Sequence, residues 1–227
     1  MPPSLLNDFP ASTAPIVRLK GIRAASLEGK GVRSHIERML IRTEQTPNPA
    51  TRKFLPDRQV MEAGTRDFPD AESAEASPLA SALFASGMVE GVFFGRDFIS
   101  VTAAPGVSWG DLEPLVLETL LDHFVSGAPL FARGTAAGIQ IDSTAVEEDP
   151  ADADIIEQIK GLIETRVRPA VAQDGGDIVY RGYKDGRLYL GMQGACSGCP
   201  SSTITLKRGI ENLIRHYVPE VESVEAV

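Results

Sequence analysis

DGGDIVYRGYKDGRLYLGMQGACSGCPSS, residues 174–202, decides how the second half of this chain folds. Two extended runs, 177–183 and 187–192, flank Lys184-Asp185-Gly186, a hairpin turn with glycine where a positive φ is needed. A loop of small residues comes next, holding Cys196 and Cys199, the two cysteines of the chain. Pro200 lacks an N–H and suits the first turn of a helix. Upstream, Ile156, Ile159, Ile163 and Val167 repeat at spacings of three and four, which predicts a helix capped by Asp154. Pro169 is expected to kink that helix and Gly175-Gly176 to end it. Downstream, Thr203, Leu206, Ile210, Leu213 and Tyr217 mark one stripe of a last helix, stopped before Pro219. The terminal VESVEAV reads as a strand. Residues 153–227 thus read α-β-β-α-β, with the CxxC loop before the second helix.

The first half reads as a separate α/β module over 39–126, making the chain an α+β protein of two small modules. Residues 39–44 look like a strand, TPNPATRKF puts Pro47, Asn48 and Pro49 in a turn, and 53–55 resume extended structure. Structural use of that turn is the expectation, with partner recognition through Arg52 and Lys53 as the other reading. Ser77-Pro78 signals a helix start that Gly87 closes. Runs at 89–94 and 98–102 form a hairpin, and Ser108 opens a helix with Leu112, Leu115, Val116, Leu120 and Phe124 on one face. Glycines, prolines and then Glu147, Glu148, Asp149 and Asp152 make 127–152 read as a flexible acidic linker.

The 227 residues carry a formal net charge of −9 and 43% hydrophobic residues. An acidic chain gathers phosphates poorly, so nucleic acid is not an expected partner. No apolar run approaches the roughly 18 residues of a membrane span. Two cysteines and no secretory signal indicate a reducing compartment, read here as the bacterial cytoplasm. Residues 1–38 carry six basic and three acidic residues and read as a disordered extension with Met39 the natural start. The alternative is a mitochondrial presequence, which those acids and Pro2, Pro3, Pro10 and Pro15 fit poorly.

Two thiols three positions apart allow three chemistries. Cys199 at the N-cap of a helix would sit near unpaired N–H groups and the positive end of the dipole, a place that favours thiolate. A dithiol oxidoreductase uses that arrangement, but the loop comes after a hairpin and too little chain remains beyond it for a thioredoxin-like domain. Structural zinc wants four ligands. His216 stands at the far end of a helix of roughly 17 residues, about 25 Å from Cys199 at 1.5 Å per residue. A Cys₄ site completed by two chains, each giving one CxxC, would hold either zinc or an iron–sulfur cluster.

The stretch VRPAVAQDGGDIVYRGYKDGRLYLGMQGACSGCPSSTITLKRGIENLIRHYVPEV resembles the NifU C-terminal domain of the Nfu iron–sulfur carriers, through its DGGD run, its GACSGCPSS loop and the LKxGIExxI helix. The module that opens with MLIRTEQTPNPATRKFLP is similar to the Nfu N-terminal domain. The resemblance implies a non-enzymatic carrier with a 4Fe–4S cluster bridged between two subunits, taken from a general scaffold and passed to apo-proteins. It carries the cluster ligands onto Cys196 and Cys199, and it makes the first module, which has no cysteine, a recognition or stabilising unit.

Overall fold

The computed structural model describes residues 40–132, 146, 148–197 and 200–227. The N-terminal extension, most of the acidic linker, and Gly198 and Cys199 lie outside the described residues.

The first module is a five-stranded antiparallel sheet in the order β1-β2-β5-β4-β3, built from β1 Arg42–Gln45, β2 Thr51–Leu55, β3 Arg66–Phe68, β4 Val89–Phe94 and β5 Ile99–Ala103. The first strand begins later than the sequence indicates. Its register is set by pairing with β2, Arg42 opposite Leu55 and Gln45 opposite Arg52. Strand β3 and the one-turn helix α1 Ala71–Ala74 have no counterpart in the sequence reading, because three and four residues are too short to show a period. The local signal for α1 is Asp70, whose carboxylate accepts from the Ser73 N–H while the Ser73 hydroxyl closes a capping box.

Helices α2 Pro78–Phe84 and α3 Trp109–Ser126 cover one face of the sheet. Their N-caps are the expected Ser77 and Ser108. Leu112, Val116 and Leu120 of α3 are buried against Phe54, Phe68, Phe94 and Ile99. Leu115 is not on that face: it is 41% exposed, since it lies a residue off the i, i+4, i+8 row that meets the sheet.

The second module begins at a 3₁₀ turn, Pro150–Asp152, capped by Asp149, and runs into α4 Ala153–Leu162. Asp154 therefore sits inside the first turn and does not cap it. Ile163–Val167 form a π turn, and α5 Arg168–Gln173 continues from it. The wider turn lies immediately before Pro169, where the missing N–H and the ring disrupt the ladder. Strands β6 Gly176–Lys184 and β7 Arg187–Gly194 form the expected hairpin. Helix α6 Pro200–Tyr217 then crosses over to β8 Ser223–Ala226, which lies parallel to β7. A parallel neighbour requires such a crossover, and it fixes the terminal valines as a strand.

Two further details depart from the sequence reading. The last helix buries Ile210 and Ile214 completely, whereas Tyr217 is 44% exposed, because Ile214 continues the four-residue row from Ile210. The ends of the acidic linker are also folded onto the modules. The Ser77 hydroxyl donates to the Leu130 carbonyl, the Ala132 N–H donates to Ala76, and the Val146 N–H donates to Arg181. Among the described residues, no helix is long and apolar enough to cross a membrane.

Ile214→Ala should cost about 2–5 kcal/mol of stability, the range for emptying a packed aliphatic site. Tyr217→Ala should cost under about 1 kcal/mol. Urea unfolding of the two variants checks the assignment; equal losses would contradict it.

Candidate functional site

The end of β7 turns sharply at Gly194, and the next residues fold back on themselves. The Ala195 N–H donates to the Gly175 carbonyl, the Cys196 N–H to Gln193, and the Ser197 N–H and hydroxyl to Gly194. The Thr203 hydroxyl, in the first turns of α6, donates to the Cys196 carbonyl at 3.2 Å. Cys196 is thereby held against the start of β6. A Cβ on Gly176 would stand 2.5 Å from Cys196 Sγ, so only glycine allows the thiol this position.

Cys196 is 4% exposed. Burial, with the charges of Asp174 and Asp177 behind it, pushes its thiol up to about 12. The thiolate-favouring position read from the sequence belongs to Cys199, which lies outside the described residues. Cys196 forms part of the wall of a groove of ≈ 620 Å³ between α5 and α6, with Val171, Asp174, Leu206 and Ile210, and with Pro47 of the first module at its edge. Among the described residues, no three His, Cys, Asp or Glu side chains converge to hold a metal ion.

The sequence does not reveal that the first module touches this loop. The turn at Thr46–Asn48 lies over it. The Asn48 side chain accepts from the Ala50 N–H, which fixes the turn, and its amide donates to the Ser197 carbonyl at 3.2 Å. The structural reading of TPNPATRKF holds: the string is a rigid turn, and it also meets the second module of the same chain. Lys53 contributes to that contact, whereas Arg52 does not: Arg52 pairs with Glu113 and lies over the Trp109 ring. Lys53 Nζ donates to the carbonyls of Ala172 and Gln173 at 3.0 and 3.2 Å, the last turn of α5, where a cation suits the helix dipole. The Ser100 hydroxyl donates to the Gly175 carbonyl at 2.6 Å. A Cβ on Gly194 would meet the Phe93 ring at 2.8 Å, so the aromatic ring packs on bare backbone.

Asp177, at the start of β6, is an anchor of this contact. Its carboxylate is buried and accepts from Arg168 Nε at 2.8 Å, Arg168 Nη2 at 2.6 Å, the Thr65 hydroxyl at 2.7 Å and the Ile178 N–H at 2.8 Å. The Arg168 guanidinium is held above its ordinary range, chiefly by its hydrogen bond to Asp177. Nearby, Asp67 accepts from the Gly194 N–H at 3.3 Å, and burial raises its carboxyl to about 6. The sequence signal at Asp177 is the paired acids of DGGD, but its partners are 9 and 112 positions away and leave no local pattern.

The family model described as "Scaffold protein Nfu/NifU N terminal" matches residues 41–127 of this chain, and that described as "NifU-like domain" matches residues 159–225. NifU-like protein 4, mitochondrial, of Arabidopsis thaliana is 49% identical over 189 residues, covering 82% of this chain and 65% of the relative. The NFU1 iron-sulfur cluster scaffold homolog, mitochondrial, of Homo sapiens is 46% identical over 190 residues, covering 83% of this chain and 72% of the relative. The chain thus spans a little under two thirds of the plant protein's length. The solution structure of a NifU-like protein from Saccharomyces cerevisiae matches 52% of this chain and 99% of that one, with a TM-score of 0.39 and 18% identity.

Both named relatives are mitochondrial, which overturns the expectation of a bacterial cytoplasmic protein. Cysteine usage separates reducing from oxidising compartments, and it does not separate cytoplasm from the mitochondrial interior.

The raised Asp67 carboxyl has a definite effect on stability. Its pKa in the fold, about 6, lies above the ordinary 3.8, so the folded state binds this proton more tightly. Its contribution is full below pH 3.8 and is lost as pH rises through about 6. Asp67→Asn keeps an acceptor for the Gly194 N–H and removes the titration. It should be more stable than the parent by about 1–3 kcal/mol at pH 7 and indistinguishable from it near pH 4. Denaturant unfolding at the two pH values checks this; an equal gain at both would contradict it.

Proposed function

We propose, for a chain that belongs to the Nfu/NifU scaffold family, that it is a mitochondrial carrier holding one 4Fe–4S cluster between two copies of itself. Cys196 and Cys199 of each copy would supply the four thiolates that such a cluster needs. The cluster would come from an upstream scaffold and pass to apo-proteins by ligand exchange. A client thiolate takes an exposed iron, one carrier thiolate leaves, and the exchange repeats until the cargo has moved. The protein itself makes and breaks no covalent bond in a substrate and acts as no enzyme.

The observation that carries this reading is the mismatch between thiols and ligands. One chain has two cysteines, and a cluster or a zinc ion wants four ligands. The loop suits a large inorganic cargo: Ala195, Ser197 and Gly198 are small, and Gly176 leaves room for the Cys196 sulfur. A site split between two chains loses half its ligands when the chains part, which suits delivery better than permanent retention. The naming of a relative as an iron–sulfur scaffold supports the same cargo.

Anaerobic reconstitution with iron and sulfide should give a brown protein with the Mössbauer signature of a 4Fe–4S cluster. Cys196→Ser and Cys199→Ser should each abolish retention while the helical circular dichroism persists. Two other outcomes would replace the reading: a colourless dimer with stoichiometric zinc, or an unmetallated chain whose two cysteines cycle through a disulfide and reduce insulin.

A further inference from the structure

The first module carries no cysteine, yet three of its five buried polar side chains reach across to the segments around the cysteine loop of the second. Asn48, Lys53 and Ser100 are 3%, 8% and 1% exposed. Polar groups this buried need partners, and all three find carbonyls across the gap between the modules: those of Ser197, of Ala172 and Gln173, and of Gly175. The acceptors bracket Cys196 on both sides, in the turn that precedes β6 and in the loop itself. Pro47 stands at the edge of the groove that Cys196 borders.

We propose that this surface of the first module is a docking site for the chain's own ligand loop, and that docking covers Cys196 and withholds it from other molecules. Two features make the cover removable. The contact is made largely of hydrogen bonds to backbone, a polar interface of the kind that lets modules of one chain separate. Each donor belongs to a well-formed element of the first module: Lys53 to β2, Ser100 to β5, and Asn48 to a turn fixed by its own Ala50 hydrogen bond. Undocking therefore requires neither module to unfold. Cys196, 4% exposed, packs in the core of its own module and is bordered by Pro47 of the first, so undocking is the step that frees the loop to bring it out. This last consequence rests on the proposed cluster role; the cover itself does not.

In full-length Cys199→Ser protein, kept free of iron, Cys196 is the one remaining thiol. Its rate of alkylation by iodoacetamide is compared with that of the same protein carrying Asn48→Asp and Lys53→Met. Asn48→Asp retains the acceptor for Ala50 and sets a carboxylate against the Ser197 carbonyl; Lys53→Met removes the donor to α5. Alkylation should accelerate about tenfold or more, as expected when several hydrogen bonds holding a local closure are lost. Hydrogen exchange at residues 172–176 should rise with it, at unchanged circular dichroism. Rates within about twofold of each other, in folded proteins, would overturn the cover, since losing the hydrogen bonds of a real closure costs more than that. Should the double variant lose its fold, Ser100→Ala carries the same comparison with the same two outcomes. Reconstitution of the otherwise native chain with and without the docking substitutions then tests the consequence. Faster loading of the undocked form supports it. Faster alkylation without faster loading keeps the cover and removes its role in loading. Failure of both forms to take up any cluster overturns the cargo and leaves the alkylation result standing.

Discussion

The close approach of two backbones around Cys196 is the constraint on which the rest of the molecule depends. Gly176 gives the sulfur its place and Gly194 admits the Phe93 ring. A side chain at either would push the loop away from β6 or the first module away from the loop. Neither glycine acts alone. The buried Asp177 carboxylate, one residue beyond Gly176, is tied to Arg168 of α5 and to Thr65 of the first module. Loss of the half-exposed Arg168 would be costly, because the buried Asp177 carboxylate would be left without its compensating charge. The pair holds the helix and the hairpin of the second module in one frame that aims the loop, and the Thr65 hydroxyl joins the docked first module to that frame.

Around this frame the two cores are conventional. Each is a small sheet covered on one face by helices, with Phe54, Phe68 and Phe94 filling the first and Ile159, Leu188 and Ile214 the second. Their role for function is positional. Helix α6 follows the cysteine loop, and its burial through Ile210 and Ile214 fixes the helix relative to β7. The Thr203 hydroxyl, in the first turns of that helix, ties it back to the Cys196 carbonyl.

Much of this is legible in the residues. Periodicity identifies α4, the hairpin and α6, and Ser77 and Ser108 announce the helix starts because capping is a local interaction. The α+β class comes from the same signals together with the family resemblance, and the CxxC loop from residue type and spacing. Short elements are invisible for want of a period, as β3 shows with three residues. The face of a helix is misread where one residue shifts the stripe, at Leu115 and at Tyr217. The site is half legible. Its cysteines stand out by type and spacing, while Asn48, Lys53, Ser100 and Asp177 act through partners as far as 149 positions away. No local pattern encodes such a contact; it exists only once both modules have folded.

The same distance explains why the sequence does not show how the first module bears on the cysteine loop. Without cysteines it brings no ligand, and its Pro-Asn-Pro turn reads as mere rigidity. Rigidity is what a docking surface needs, since a preordered donor loses little freedom when it binds. The central claim remains the stoichiometry: each chain brings half of a coordination sphere. Native mass spectrometry of the anaerobically reconstituted protein tests it most directly. The account predicts a species of two chains carrying a single 4Fe–4S cluster. A single chain that retains an intact cluster of its own would contradict it.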